Sequence, residues 1–136
     1  KYVIVYFYNV YGPNQITKGH MSAVIGIFEK QYLLGKPLTV VKPGTQKRDF
    51  THVEDIANGT YLAATKSLNS EFHLGSGKNY SIIEVAKMFK SKYKLVSERP
   101  GERFYSLSKS NKAKIQLKYR IKNDLKSYIT NFINKK

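Results

Sequence analysis

The hydrophobic positions of this 136-residue chain change period several times. Residues 2–8, YVIVYFY, are β-branched and aromatic without polar alternation, the pattern of a strand covered on both faces of a parallel sheet, and Gly12-Pro13 ends the run. Over residues 22–34 the period becomes helical: Val24, Ile25, Phe28, Tyr32 and Leu33 share a face, and Gly35 with Pro37 supplies the stop. Residues 38–41 are a short apolar run into the turn Pro43-Gly44, and residues 49–53 predict a second short strand. A helix over 54–66 follows, with Glu54 and Asp55 placed favourably against its dipole. Residues 72–74 predict a strand running into Gly75-Ser76-Gly77. Next, Ser81-Ile82-Ile83-Glu84 has the spacing of a capping box, opening a helix that turns Ile82, Val85, Ala86 and Phe89 inward. After a charged turn at 98–103, two more helices are predicted over 108–117 and 123–134. Short strands mixed with helices indicate an α/β or α+β domain.

Length and composition narrow this picture. A chain of this size makes one compact domain with a core of its own. No charged start followed by an apolar run marks a signal peptide, and no apolar stretch approaches the roughly 20 residues that span a bilayer, so no membrane partner is expected. With no cysteine, disulfides and thiolate metal sites are excluded, and a cytoplasmic location is expected. The net charge of +15 raises the alternative of a non-enzymatic module binding RNA or another polyanion. Against it, the only arginines are Arg48, Arg99, Arg103 and Arg120, while the lysines are scattered along the whole chain as on a solvated surface.

Few residues carry chemistry. His20, His52 and His73 share no ligand spacing, so no metal site is expected. Gly75-Ser76-Gly77 follows a strand and precedes a helix but lacks the remainder of a phosphate-binding fingerprint, and reads as a plain turn. No serine or threonine sits in a nucleophile elbow and no acidic pair stands out, so no catalytic residue is assigned. Two basic turns differ. Arg48 lies at the mouth of a strand and Arg99 on the turn Arg99-Pro100-Gly101-Glu102, where planar guanidinium groups suit a diphosphate. The competing reading is that each pairs with a neighbouring acid, Asp49 or Glu102.

Four motifs then stand in order: Tyr8-Asn9-Val10-Tyr11-Gly12-Pro13; residues 46–57, QKRDFTHVEDIA; residues 72–77, FHLGSG; and Arg99-Pro100-Gly101-Glu102. Together they resemble the NAD-dependent sugar-nucleotide epimerase/dehydratase family, the extended short-chain dehydrogenases, in members similar to UDP-glucose 4-epimerase. The resemblance implies the C-terminal substrate-binding region of such an enzyme, with residues 1–13 as the last part of the dinucleotide-binding sheet and residues 14–136 as the nucleotide-sugar-binding domain. It implies that Asn9 bonds the nucleotide-sugar near its diphosphate, that Arg48 and Arg99 clamp that diphosphate, and that Glu102 accepts from the ribose. Ala23, Val24 and Ile25, with Val40 and Val41, would wall the base, and Tyr8 with Asn9 would touch the nicotinamide end of NAD. The family's glycine fingerprint, catalytic Ser/Thr and Tyr-x-x-x-Lys pair fall upstream of residues 2–8, so this chain alone is expected to be inactive.

The implied reaction is 4-epimerisation of a UDP-hexose, with a nucleotide-sugar 4,6-dehydratase or a nucleotide-heptose 6-epimerase as alternatives. Tyr6 stands where the family commonly has arginine, Lys42-Pro43-Gly44 where Gly-Asp-Gly is usual, and Lys109, Lys118 and Ile121 where acid, glycine and proline are frequent. Residues 2–8 are expected to leave an unpaired apolar edge through which the chain self-associates.

Overall fold

The structure, a computed structural model, describes residues 1–19, 22–66, 69–98, 100–101 and 103–135. Its strands are β1 (Val3–Phe7), β2 (Asn9–Tyr11), β3 (Leu38–Val41), β4 (Lys47–His52), β5 (Ser70–Leu74), β6 (Asn79–Ser81) and β7 (Tyr93–Val96). Its helices are α1 (Val24–Leu33), α2 (Val53–Lys66), α3 (Ile82–Met88) and α4 (Leu125–Asn134). Among the described residues the strands make three small sheets: β1 with β5, β2-β4-β6, and β3 with β7. All pairings are parallel except β4 with β6. The α/β expectation holds, and no described helix is long and apolar enough to cross a membrane.

Among the described residues β1 has a strand partner on one edge only. β5 returns from the far end of α2 to lie beside β1 in the register Val3↔Ser70 to Phe7↔Leu74. Parallel register puts partners on one face, so Val3 and Val5 join Phe72 and Leu74 over Ile56, Ala63, Leu117 and Tyr119. The opposite face stays open. There Tyr2, Ile4 and Tyr6 are exposed, Tyr6 stacks on His73 with centroids 4.6 Å apart, and its hydroxyl donates to Glu71 at 3.1 Å.

A larger core joins the other two sheets. Phe28 of α1, Val85 and Ala86 of α3, Phe89 and Ile129 of α4 close over Leu38, Val40 and Phe50. α3 opens with the predicted capping box: Ser81 Oγ accepts from Glu84 N at 3.2 Å, and Ser81 N donates to Glu84 Oε2 at 2.6 Å. The bond from Ser81 N, with the Ser81 hydroxyl beside it, holds the Glu84 carboxyl below the usual carboxylate range.

The helix expected over 108–117 shrinks to one π-helical turn, Ala113–Leu117. Residues 104–108 are drawn to β4 instead. Lys47 N donates to Phe104 O at 2.9 Å, Ser106 N to Lys47 O at 3.0 Å, and Ser108 N to Asp49 Oδ2 at 3.0 Å.

Lys118 ends that turn at φ 59°, ψ 27°, the left-handed conformation that explains why glycine suits this position. Left-handed backbone costs a residue with a Cβ about 1–2 kcal/mol. Glycine's freer unfolded state returns about 0.4–1 kcal/mol of that. Lys118→Gly is therefore expected to stabilise the chain by about 0.5–1 kcal/mol, read as a higher urea midpoint at unchanged slope; a lower midpoint would contradict it.

Candidate functional site

β4 builds the site by alternation. Arg48 and Phe50 face one side, with Gln46 just ahead of the strand in the same phase, while Lys47, Asp49 and Thr51 face the other. The first side forms one wall of a cleft of about 260 Å³. β2 contributes Asn9 and Val10, β3 contributes Thr39 and Val41, and the N-terminal end of α1 adds Ser22, Ala23 and Val24. The cleft therefore joins a guanidinium and a carboxamide to apolar side chains, the composition of a small-ligand site.

Arg48 is 8% exposed, and its Nη1 donates to Lys47 O at 3.1 Å, which fixes the plane of the guanidinium. Asn9 Nδ2 donates to Asp49 O at 3.2 Å, so β2 and β4 are tied where the two polar side chains meet the cleft. The pairing of Arg48 with its neighbour Asp49 is not what forms. Asp49, fully buried on the other face, accepts at Oδ1 from Ser76 N (2.9 Å), Ser76 Oγ (2.6 Å) and Thr51 Oγ1 (3.3 Å). At Oδ2 it accepts from Gly77 N (3.1 Å) and Ser108 N (3.0 Å). Gly75 permits this arrangement, because a Cβ there would collide with Ser108 Cβ and come within 2.8 Å of Asp49 Oδ2.

The same bonds decide the Gly75-Ser76-Gly77 turn. Its Ser76 and Gly77 amides already hold a carboxylate, so the turn does not fit the phosphates of a dinucleotide. Two literal Tyr-x-x-x-Lys spacings occur, Tyr32 to Lys36 and Tyr105 to Lys109, and neither reaches the cleft. Tyr32 packs against Phe89 and Phe132, and Tyr105 is exposed. Among the described residues, neither this turn nor these two spacings presents an NAD phosphate or catalytic site.

Of the residues singled out in the sequence, Asn9, Ala23, Val24 and Arg48 come together on the cleft. Val40 does not: it is fully buried in the larger core, and Thr39 and Val41 on either side of it take the wall, because α3 covers the Val40 face of β3. Tyr8 also lies off the cleft, its hydroxyl within 3.0 Å of His73 Nδ1. Arg99 and Glu102 lie outside the described residues. The chain after them joins β4 at Lys47, next to Arg48. Val41 and Ile25, named with Val40 as walls, do line the cleft, whereas Gln46, Phe50, Thr39 and Ile82 escaped the sequence reading; counting in twos from Arg48 would have found Gln46 and Phe50.

Other polar clusters stay apart from the cleft. Glu29, nearly buried in α1, accepts from Gln15 Nε2 (2.7 Å) and the Tyr128 hydroxyl (2.8 Å); burial pushes its carboxyl up while these bonds oppose the shift. Asp55 accepts from Lys122 N (3.1 Å) and Asn123 N (3.0 Å), fastening the approach to α4. Among the described residues no group of three His, Asp or Glu side chains could hold a metal ion.

Comparison with known proteins places this geometry. The model of the NAD dependent epimerase/dehydratase family matches residues 1–82. UDP-glucose 4-epimerase of Bacillus subtilis is 31% identical over 123 residues, 83% of this chain and 36% of that protein. A second protein of that organism, named as an uncharacterized UDP-glucose epimerase, is 30% identical over 139 residues, 96% of this chain and 43% of its own length. The crystal structure of UDP-glucose 4-epimerase with UDP-glucose from Thermotoga maritima matches with a TM-score of 0.91 at 26% identity, covering 98% of this chain and 45% of that one. The chain spans less than half the length of these curated relatives.

Proposed function

Because the chain belongs to the NAD-dependent epimerase/dehydratase family, we infer that the Arg48 cleft binds a nucleotide-sugar and that the chain is the substrate-binding part of a UDP-hexose 4-epimerase. The observation that carries this is Arg48 itself: a nearly buried guanidinium, fixed by Lys47 O, opening on a cleft whose other walls are Asn9 and the apolar end of α1. A diphosphate needs a planar, oriented cation and a nucleobase needs apolar walls, and both are within this one cleft. The relative from Thermotoga maritima was solved with UDP-glucose, which agrees with that ligand class.

In this reading Arg48, with Arg99, neutralises the diphosphate, Asn9 contributes hydrogen bonds beside it, Glu102 holds the ribose, and Ala23, Val24 and Val41 exclude water from the base. NAD would supply oxidation and re-reduction at the hexose C4 in the whole protein, in a cytoplasmic setting. This chain's share is to bind and orient the substrate, and alone it would not turn over. Residues 1–13 would belong to the cofactor side and residues 14–136 to the substrate side, with β5 crossing back to β1.

Calorimetric titration of the chain tests the reading. UDP-glucose is expected to bind with one-to-one stoichiometry. Labelled RNA at two salt concentrations serves as the contrast. Tight RNA binding with a steep salt dependence, and no response to UDP-glucose, would favour the polyanion module.

The open face of β1 carries a separate expectation. Tyr2, Ile4 and Tyr6 form an apolar surface on a parallel pair, where both faces are normally covered, so the chain alone should self-associate there. Sedimentation should show mass rising with concentration, and Ile4→Lys should return it to monomer. A wild-type monomer at high concentration would refute it.

A further inference from the structure

The Asp49 side of β4 borders a second cavity. Ser76, Gly77 and Ser108, which bind Asp49 there, form one wall of a hollow of about 310 Å³. The segment that follows Ser108 closes it with Ser110, Asn111, Lys114, Tyr119 and Arg120. It shares no lining residue with the Arg48 cleft. A further hollow adjoins it through Asn111, Lys114 and Arg120 and adds Lys118.

Around this cavity there are donors without acceptors. The Tyr119 ring is held in the smaller core, the residue is 6% exposed, and its hydroxyl is buried with no hydrogen-bond partner. Buried polar groups are paired with few exceptions, so this hydroxyl marks a place where a ligand supplies the acceptor. Among the described residues no carboxylate pairs with Lys114 or Arg120, and none lines either hollow. Asp49 and Asp55, the acids behind Tyr119, are already bonded by backbone amides. The Ser76 and Gly77 amides are committed to Asp49, so the donors come from the opposite wall: the Tyr119 hydroxyl, the Arg120 guanidinium and the Lys114 ammonium.

We propose that this cavity is a second ligand site, taking the terminal phosphate of a small phosphorylated molecule, with Arg120 and Lys114 neutralising the phosphate and Tyr119 donating to one of its oxygens. The site goes beyond the nucleotide-sugar reading and does not depend on it. A phosphate monoester carries several acceptor oxygens on a tetrahedral centre, which meets donors converging from different directions, and a guanidinium fork matches a pair of them. Volume argues for an ester rather than the bare ion. A water molecule takes about 30 Å³ in the liquid, so the hollow exceeds what a phosphate ion fills, and it reaches the lower end of small-ligand pockets, about 300 Å³.

The test is equilibrium dialysis of radiolabelled inorganic phosphate against the Arg48→Ala chain, a background that removes the guanidinium of the cleft. One phosphate per chain is expected, displaced by glycerol 3-phosphate at equal or lower concentration. In that background Arg120→Gln should weaken binding about 10-fold or more, and so should Tyr119→Phe, which removes only the hydroxyl. The urea midpoint of Tyr119→Phe should be unchanged or higher, because an unpaired buried group has been removed. Lys126→Gln removes the same charge from an exposed position of α4 outside both hollows, and should change affinity by less than about twofold.

Absence of bound phosphate in the Arg48→Ala chain overturns the proposal without recourse to a further variant. Equal losses in Arg120→Gln and Lys126→Gln overturn it too, because the attraction would then be one of net charge. Unchanged affinity in Tyr119→Phe, or a lower urea midpoint, removes the hydroxyl from the site: the first shows that it does not meet the phosphate, the second that the protein already pairs it. Phosphate that glycerol 3-phosphate fails to displace would leave room for the ion alone and overturn the ester. Displacement by labelled RNA without terminal phosphates, at an affinity that depends on Arg120, would place a phosphodiester strand there instead and overturn it as well.

Discussion

Arg48→Ala is expected to abolish measurable binding of UDP-glucose while the chain remains folded. The guanidinium makes charge-assisted, two-pronged hydrogen bonds to phosphate oxygens in the proposed complex, and such bonds contribute about 1.5–3 kcal/mol each. Losing two of them lowers affinity by a factor of about 100 or more, beyond what titration of a weak complex can follow. The fold is expected to survive because the strand's ladder uses backbone groups, which the substitution leaves in place. Arg48→Lys sharpens the result. It keeps the charge and loses the planar fork, so it should recover only part of the affinity. Equal binding of UDP-glucose by wild type and Arg48→Ala, with matching melting curves, would remove Arg48 from the site.

The second large effect lies one residue further on, on the opposite face of β4. Asp49→Asn is expected to destabilise the chain by about 3–5 kcal/mol, a large share of the 5–15 kcal/mol typical of a domain. The carboxylate is fully buried and receives five donors: two from Ser76, and one each from Thr51, Gly77 and Ser108. An asparagine can keep one oxygen for three of them. Its amide nitrogen would then confront the Gly77 and Ser108 N–H groups, donor against donor, with no water to intervene. The loss should appear as a lower urea midpoint. Nucleotide binding should weaken with it, because freeing Ser108 loosens the segment that joins Lys47 beside Arg48. A change within about 1 kcal/mol would show that the five bonds are replaceable by solvent.

Neighbouring residues thus divide the work of the motif Lys47-Arg48-Asp49-Phe50: the even positions face the cleft and Asp49 fastens distant loops. In the sequence these roles are only half visible. Arg48 could be picked out as a diphosphate-type cation from its place at a strand mouth. Its separation from Asp49 required knowing that Ser76, Gly77 and Ser108 converge on the acid from 27, 28 and 59 residues away. Val40 shows the same limit on a smaller scale. Both Val40 and Val41 are apolar, and nothing local says that α3 packs on the side of the former.

The sequence alone determined what short-range physics controls. The helical stripe of α1 ended by Gly35, the acidic first turn of α2, the Ser81–Glu84 capping box and the apolar run of β1 depend on residues within about one or two turns of one another. It also carried the four spaced motifs that led to the family. The tertiary structure decided the rest. β7, a four-residue stretch for which the local pattern gives no element, becomes a strand because β3 pairs with it across more than 50 residues, Val41 meeting Val96. The helix predicted over 108–117 is reduced to Ala113–Leu117, with Ser108 N held by Asp49 of β4. Pairing partners and the covered face of a strand are set by long-range contacts, whose free energy outweighs the small local preferences that a sequence displays. The cleft, assembled from β2, α1, β3 and β4, belongs to that second category.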